Sequence, residues 1–355
     1  MVDAGYYEGV LGGSGIGYGC SQLMARIGRA ESIRLLEAAF DGGITHFDVA
    51  RSYGYGEAES ALGAFLAGRR DQVTVTTKLG LGPPRGSGLL KVAKVAARAA
   101  VAAAPPLGRV IRRRAAGAVQ PGRFSPLEAR ASLETSLREL RTDRVDLLLL
   151  HECRPTDLSE ELLAFLRDAV RDGRVGGFGI ATAADASAAI LAARPEFAPL
   201  VQVANGVTDP TVETTPELWR SAVITHSALA GLDRVHRHVV ASGERTRSWS
   251  EAIGADCSDR RVLAELMLAW ARAANPRGVV LFSSRDPSNV RANAVSSEPT
   301  SDRVERAQHL ARLVRDELGA QEGRISSNTA SPPSSSDSAS ARTQEASGRT
   351  DRTGS

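Results

Sequence analysis

The sequence predicts an α/β protein, a (β/α)8 TIM barrel with long loops on its C-terminal face. Short apolar segments alternate with amphipathic segments along the first 318 of 355 residues. This alternation is typical of parallel strands joined by helical crossovers. The apolar segments are nearly continuous, as expected of strands that are buried on both faces. Polar residues stand at or just after the predicted ends of three strands, and the C-terminal ends of barrel strands carry the chemistry of this fold.

Eight segments are predicted to be strands, and most are bounded by glycine, proline or charge. They cover residues 16–20, 44–48, 73–78, 145–150, 177–181, 200–204, 222–225 and 278–282. Helices are predicted at residues 32–40, 58–67, 126–140, 159–172, 184–193, 260–274, 286–294 and 301–318. Ser32 and Ser125 are predicted to begin two of these helices. The sixth unit is the weakest, because residues 205–220 offer only a short helix.

Three segments lie outside this regular pattern, and residues 1–318 are otherwise predicted to form the barrel domain. Residues 79–125 form a basic loop insertion, and residues 79–127 contain nine Lys or Arg and no acid. The insertion is interpreted either as a lid that attracts an anionic substrate or as an alanine-rich surface segment with solvated charges. Residues 228–259 form a second long loop, in which Trp249 is expected to wall the pocket. Residues 319–355 are predicted to be a disordered Ser/Thr-rich tail, because they cannot bury enough apolar surface.

Composition and charge exclude several functional classes. A net charge of +3 is small for 355 residues, so no nucleic-acid partner is predicted. Three widely spaced cysteines form neither a disulfide framework nor a zinc motif, which favours a reducing cytoplasm. The N-terminal residues lack the basic and apolar regions of a signal peptide, and no segment is apolar enough to span a membrane. A monomer is the expected oligomeric state.

The four polar residues suggest carbonyl chemistry. Asp48 ends the second predicted strand, Tyr53 follows it, Lys78 ends the third strand and His151 follows the fourth. A phenol is a weak acid at pH 7, and a nearby ammonium stabilises its phenolate. A carboxylate keeps the lysine charged and oriented, and a histidine can hydrogen-bond a carbonyl oxygen. Because a protein contains no hydride, a nicotinamide cofactor would have to supply one.

Each of the four residues also has a structural interpretation. Asp48 alone could cap a turn, and Tyr53 alone could wall a pocket. Lys78 at a strand end is usually solvated, and a lone histidine such as His151 is more often structural than catalytic. Their joint placement on strands two, three and four favours a catalytic site.

Three motifs resemble the signature segments of the aldo-keto reductase family. They are residues 43–54, which read GITHFDVARSYG and are followed by Glu57 and Glu59, the pair Thr77–Lys78, and residues 146–151, which read DLLLLH. The resemblance covers approximately residues 12–318. It implies a (β/α)8 barrel that binds NADPH across its open face. It also implies that Tyr53 is the proton donor, that Lys78 and Asp48 tune it, and that His151 orients the carbonyl.

The same resemblance implies residues that hold the nicotinamide. The family usually has Ser-Asn after strand five, whereas this chain has Ala181–Thr182, so only the Thr182 hydroxyl can bind the carboxamide. Gln202 matches a glutamine that grips the same amide. His226 stands where the family has a stacking tyrosine, although a simple loop histidine is the alternative.

The segment after the eighth strand resembles the family's phosphate-binding segment. It opens a predicted helix, and helix N-termini favour phosphate. The implied cofactor residues are Ser283, Ser284, Arg285, Asn289 and Asn293. Arg285 would favour NADP(H) by clamping a 2′-phosphate, unless it is only a surface charge at a helix start. Because Asn289 replaces a second basic residue of many relatives, NAD(H) stays an alternative cofactor.

The sequence therefore predicts an NADPH-dependent reductase of a small-molecule aldehyde or ketone, acting reversibly. The alternative is a barrel that senses redox state by binding NADP(H) with little turnover. A barrel aldolase with Lys78 as Schiff base would leave Tyr53 and Asp48 without a purpose. No metal site is predicted, because His236 and His238 lack the spacing of metal ligands.

Overall fold

The computed structural model describes residues 4–13, 15–25, 27–83, 122–295 and 300–319. Within these ranges eight parallel strands close into a barrel in sequence order, which confirms the predicted fold. The strands are β1 (Ile16–Gly19), β2 (His46–Asp48), β3 (Thr74–Leu79), β4 (Val145–His151), β5 (Val175–Ala181), β6 (Leu200–Ala204), β7 (Ala222–His226) and β8 (Val279–Phe282).

Helices surround the barrel. Those in the described ranges are α1 (Ala4–Leu11), α2 (Arg29–Asp41), α3 (Ala58–Phe65), α4 (Pro126–Leu140), α5 (Glu160–Arg171), α6 (Ala184–Ala193), α7 (Thr211–Thr214), α8 (Leu232–Val240), α9 (Gly243–Ile253), α10 (Arg260–Ala274), α11 (Pro287–Val295) and α12 (Ser301–Val314). A π-helical turn, Arg315–Gly319, follows α12. The weak sixth unit contains only the single turn of α7 and a 3-10 segment, Pro216–Arg220.

One of the two predicted helix starts is confirmed and the other is wrong. Ser125 caps α4, and its hydroxyl accepts a hydrogen bond from the amide of Glu128. Ser32, in contrast, lies inside α2, which begins at Arg29. The Ser32 hydroxyl donates to the carbonyl of Gly28, the N-cap residue one turn earlier, at 2.9 Å.

The barrel separates two apolar cores. The outer core lies between strands and helices, where Phe47 of β2 packs against Phe65 of α3 with ring centroids 5.1 Å apart. The inner core fills the barrel interior with buried side chains such as Leu147, Leu149 and Leu281. Because side chains alternate across a strand, β4 to β8 supply both cores, which explains their nearly continuous apolar segments.

Helix α1, which the sequence did not predict, closes the N-terminal end of the barrel. Tyr7 is 3% exposed and belongs to the inner core. Its hydroxyl donates to the carbonyl of Phe178 at 2.8 Å and accepts from the amide of Phe178 at 3.2 Å. Tyr6 donates to the carbonyl of Asp146 at 3.0 Å. The open face at the C-terminal ends of the strands is therefore the accessible mouth of the barrel.

Residues 228–259 are not one long loop, since they contain α8 and α9. Trp249 is 1% exposed, and its indole Nε1 donates to Glu317 at 2.8 Å while its ring packs near His238. The expectation that Trp249 walls the pocket is therefore wrong. Helix α9, which contains Trp249, packs against α8 and α12. The hydrogen bond from Trp249 to Glu317 holds the turn that follows α12.

Two expectations fall largely outside the described residues. Most of the basic insertion at residues 79–125 and all but the first residue of the predicted tail at 319–355 are not described. Among the described residues, no helix has both the length and the apolar character needed to cross a lipid bilayer.

Candidate active site

Asp48 and Lys78 form a buried ion pair at the mouth of the barrel. Strands β2 and β3 are hydrogen-bonded neighbours in parallel register, and both residues stand near their C-terminal ends. Lys78 Nζ lies 2.5 Å from Asp48 Oδ1 and 3.3 Å from the carbonyl oxygen of Val49. Lys78 is 1% exposed and Asp48 is 3% exposed. Water therefore screens this pair poorly, and the carboxylate fixes the ammonium in place.

A tight turn after β2 places Tyr53 beside this pair. The turn is a 3-10 segment, Tyr53–Gly56, in which Gly54 has a φ of 57°. A Cβ at Gly54 would lie 2.6 Å from the carbonyl oxygen of Leu23, so only glycine fits there. Lys78 Nζ lies 5.1 Å from the centre of the Tyr53 ring.

His151 completes the group at the end of β4. Its ring centre lies 6.1 Å from that of Tyr53, and the two ring planes are nearly perpendicular, at 88°. The Nδ1 atom of His151 is buried and has no hydrogen-bond partner among the described residues. The structure thus brings together all four residues that the sequence proposed as catalytic.

Burial and charge set the protonation of this group. Burial raises the pKa of Tyr53 above its usual value, and the neighbouring Lys78 acts in the opposite direction. Burial alone would lower the pKa of Lys78, but Asp48 and Tyr53 outweigh it and raise that pKa. Burial and the charge of Lys78 together lower the pKa of His151 to about 3. At pH 7 the site therefore contains a protonated phenol, an ammonium and a neutral imidazole.

This balance corrects one part of the sequence-based argument. A lysine beside a tyrosine was expected to lower the phenol pKa, yet the cost of burying a phenolate dominates for Tyr53. The effect of Lys78 is to limit that increase.

Gln202 has a contact that the sequence did not predict. Its Nε2 donates to Asp48 Oδ2 at 2.8 Å, while Lys78 occupies the other carboxylate oxygen. Both oxygens of Asp48 are thereby fixed. Gln202 lies on β6, on the opposite side of the barrel from β2, so the contact crosses the barrel mouth.

The catalytic group lies in a cleft of about 880 Å³. Side chains from the ends of β5 to β8 line one half of it, including Thr182, Gln202, His226 and Ser283. The Thr182 hydroxyl is 2.7 Å from that of Ser187, so it is already engaged within the protein. His226 Nδ1 lies 2.8 Å from the Ser227 hydroxyl, and burial lowers the pKa of His226.

The predicted phosphate-binding segment continues from this cleft into α11. Ser283 donates to the carbonyl of Gly19 at 2.6 Å, which joins β8 to β1. The Ser284 carbonyl accepts from Tyr18 at 2.8 Å, and Arg285 is exposed. Asn289 and Asn293 lie on α11, where both are partly exposed, and neither lines the cleft.

The other half of the cleft includes residues from the ends of β1 and β4. Ser21 and Gln22 lie in the 3-10 segment Cys20–Gln22, which follows β1. Glu152 follows His151 and was not predicted. The only sequence signal that could have indicated Glu152 is its position directly after the candidate catalytic His151.

Within the described ranges, no group of three or more potential metal ligands is present.

Comparison with known proteins identifies the barrel. The chain is 30% identical to the 6-dehydroglucose reductase of Agrobacterium fabrum over 148 residues, or 41% of each chain. An aldo-keto reductase from Bacillus halodurans in its holo form aligns with a TM-score of 0.62 and 20% identity, covering 83% of this chain and 91% of that one. An aldo-keto reductase from Klebsiella pneumoniae in complex with NADPH aligns with a TM-score of 0.58 and 20% identity, covering 84% and 90%.

The matches to curated relatives span less than half of those proteins' length. The model of the Aldo/keto reductase family matches residues 15–216, which is more than half of the 355-residue chain. The chain therefore belongs to the aldo/keto reductase family of oxidoreductases.

Proposed function

We propose that this protein reduces an aldehyde or ketone to an alcohol with NADPH, and catalyses the reverse oxidation with the same residues. The observation that carries the proposal is the position of one buried ammonium, Lys78, which pairs with Asp48 and lies 5.1 Å from the centre of the Tyr53 ring at the barrel mouth. A barrel aldolase would need Lys78 as a free nucleophile, whereas here a carboxylate holds it charged.

Tyr53 acts as the proton donor in this proposal. Its raised pKa keeps the phenol protonated at pH 7, so a proton is available when the carbonyl oxygen becomes basic. An alkoxide is a far stronger base than a phenolate, so the transfer is favourable. Lys78 then stabilises the phenolate that forms, and Asp48 prevents the ammonium from losing its own proton.

His151 orients the carbonyl. Because its pKa is lowered to about 3, the imidazole is neutral at pH 7 and binds the carbonyl oxygen as a hydrogen-bond donor, not as a cation. A neutral donor next to Lys78 avoids placing a second positive charge in a buried site. The Tyr53 hydroxyl and the His151 imidazole would bind the same carbonyl oxygen, since their ring centres lie 6.1 Å apart.

The half of the cleft formed by β5 to β8 fits a nicotinamide cofactor. The whole cleft has a volume of about 880 Å³, within the usual range for ligand sites of about 300–1,000 Å³. Gln202 and Thr182 would hold the carboxamide, His226 would stack on the ring, and Arg285 would bind the 2′-phosphate. When bound, this cofactor supplies the hydride that the carbonyl carbon receives. NADP(H) is proposed over NAD(H) because of Arg285, and because an NADPH-bound protein is among the structural neighbours.

The Tyr53→Phe variant tests this assignment. We expect the rate of carbonyl reduction to fall by about 100- to 10,000-fold, the usual contribution of a positioned proton donor. Binding of NADPH, measured by fluorescence titration, should persist. Tyr6→Phe removes one hydroxyl at the opposite end of the barrel and should retain turnover. Full activity in Tyr53→Phe would reject the mechanism.

A panel of aldehydes, ketones and sugars separates the enzyme from the redox sensor. The sensor alternative predicts tight NADPH binding without NADPH oxidation on any member of the panel. The reductase predicts turnover that requires Tyr53 and Lys78. A Lys78→Met variant should lose turnover and stability together, because it leaves the Asp48 carboxylate buried without its ion-pair partner.

A further inference from the structure

We propose that Glu152 determines specificity for hydroxylated, sugar-like carbonyl substrates by accepting hydrogen bonds from their hydroxyl groups. The inference rests on the proposed function, since it places the substrate in the half of the cleft that the cofactor does not use. That half contains Ser21, Gln22 and Glu152 beside the catalytic Tyr53 and His151.

The backbone of Glu152 has a conformation that is unfavourable for any residue with a side chain. Glu152 has a φ of 56°, in the left-handed region that is unfavourable for residues with a side chain. Arg141, which has a similar φ of 55°, ends helix α4, where this conformation is common. Glu152 ends no helix, and its amide donates to the carbonyl of Ala181 at 2.9 Å. Strained residues of this kind concentrate at functional sites.

The carboxylate has no partner of its own in the described part of the chain. The Glu152 side chain is exposed at the cleft, and the desolvation it does experience raises its pKa, with no cation among the described residues acting against that rise. The two buried carboxylates of this region are engaged: Asp48 binds Lys78 and Gln202, and Glu59 binds Arg51 and Thr77. Glu152 is thus free to accept hydrogen bonds from a ligand in the cleft.

The neighbouring residues favour hydroxyl groups over an apolar substrate. Ser21 and Gln22 offer both donors and acceptors, and Glu152 adds a strong acceptor. A steroid or quinone would instead be expected to need apolar and aromatic walls. A cationic substrate would pair with Glu152 alone and would leave Ser21 and Gln22 without a role in recognition. The name of one relative, 6-dehydroglucose reductase, agrees with a hydroxylated carbonyl.

A matched pair of aldehydes tests the inference. D-Glyceraldehyde and propanal have the same carbon chain and differ by two hydroxyl groups. In Glu152→Leu, kcat/KM for glyceraldehyde should fall by about 10- to 100-fold, the loss expected for a charge-assisted hydrogen bond. The value for propanal should change by less than about threefold, as for an ordinary surface substitution. Glu152→Gln keeps an acceptor oxygen and should lie between the wild type and Glu152→Leu.

Glu152→Gly separates specificity from structure. Glycine adopts the left-handed conformation without strain, so this variant should unfold at the wild-type temperature or above. It should nevertheless lose the preference for glyceraldehyde. A purely structural Glu152 would produce the opposite pattern, with normal selectivity and altered stability.

Two results would overturn the inference. One is an unchanged ratio of the two kcat/KM values in Glu152→Leu and Glu152→Gly, whether or not activity on both aldehydes falls. The other is a wild-type preference for betaine aldehyde that both Glu152→Gln and Glu152→Leu abolish, which would assign Glu152 to a cation.

A binding measurement keeps the test independent of turnover. In the presence of NADP⁺, the difference in unfolding temperature between glycerol and 1-propanol solutions should be smaller in Glu152→Leu than in the wild type, because the general solvent effects of the two alcohols act on both proteins. If no aldehyde is reduced, the proposed function fails, while the glycerol and propanol measurement still decides the role of Glu152.

Discussion

Thr77 donates a 2.7 Å hydrogen bond to Glu59, and this bond connects strand β3 to helix α3 behind the catalytic group. The other carboxylate oxygen of Glu59 forms a 3.0 Å ion pair with Arg51. The side chain of Glu59 is 1% exposed and that of Arg51 is 16% exposed. Because Thr77 precedes Lys78 and Arg51 lies two residues before Tyr53, Glu59 fixes the proton donor relative to the ammonium.

The Glu59→Gln variant should weaken both the fold and the reaction. Loss of a charge from a buried ion pair leaves Arg51 partly unpaired, so we expect unfolding free energy to fall by about 2–4 kcal/mol. Turnover should fall with it, while the KM for NADPH stays constant, because Glu59 does not line the cleft. Urea denaturation and steady-state kinetics measure the two effects. Glu134→Gln, an exposed change on α4, is the control, and equal behaviour of the two variants would contradict this role.

The sequence predicted those parts of the site that depend on strand ends. Asp48, Lys78 and His151 were identified because β2, β3 and β4 are rich in apolar and β-branched residues and their ends are visible in the sequence. In a closed parallel barrel these ends meet on one face, so no further information was needed.

Contacts across the barrel could not be predicted in this way. Gln202 binds Asp48 from 154 residues away, and Tyr7 binds Phe178 from 171 residues away. The local pattern of apolar and polar residues carries no information about pairs so distant in sequence. Trp249 was misassigned for a related reason, since an aromatic residue between β7 and β8 could face either the cleft or α12, and its distant partner Glu317 decided the orientation.

His46 should make the fold sensitive to mild acid. Its Nε2 lies 3.1 Å from the Thr76 hydroxyl inside the barrel, and burial lowers the pKa of His46 from 6.5 to about 4. Between these values the unfolded chain binds the proton and the native protein does not. Stability is therefore complete above pH 6.5 and is lost as the pH falls towards about 4.

The His46→Gln variant isolates this contribution. Glutamine keeps a polar group near Thr76 but does not titrate. Between pH 8 and pH 5 the wild type should lose about 2 kcal/mol more unfolding free energy than this variant. Other groups with lowered pKa values, such as His151, act equally in both proteins and cancel in the comparison. Parallel stability curves over this range would show that His46 does not control the acid response.

The fit of helix α1 under the barrel should depend on glycines in β5. A Cβ at Gly176 would lie 1.6 Å from the Tyr6 hydroxyl oxygen, and a Cβ at Gly177 would lie 2.9 Å from the Tyr7 ring. Gly176→Ala should therefore displace Tyr6 and break its bond to the Asp146 carbonyl, lowering unfolding free energy by about 1–3 kcal/mol.

A double-mutant cycle tests whether this cost comes from Tyr6. In a Tyr6→Ala background the ring is absent, so Gly176→Ala should cost much less than in the wild type. The expected coupling is about 1 kcal/mol or more, as for residues in contact. Additive effects would locate the strain elsewhere, for example at the Asp146 carbonyl, which lies 2.9 Å from the same Cβ position.

Arg285 should control the choice between NADPH and NADH. It precedes Asp286, whose carboxylate accepts from the Ser288 amide at 2.8 Å and from the Ser288 hydroxyl at 2.7 Å at the start of α11. Since Ser288 engages Asp286, Arg285 has no ion pair in the described part of the chain and can bind a phosphate. Arg285→Ala should raise the Kd of NADPH by about tenfold or more, which corresponds to the loss of one hydrogen bond to a charged group. The Kd of NADH should not change.

Arg291→Ala is the matched control, because Arg291 is an exposed arginine on the same helix. If Arg285 binds the 2′-phosphate, only its variant loses the difference in affinity between the two cofactors. An equal loss for NADPH and NADH would mean that Arg285 binds the pyrophosphate, which both cofactors contain. Added salt should weaken the binding of NADPH more than that of NADH in the wild type and equally in Arg285→Ala, because screening acts on the additional charged contact.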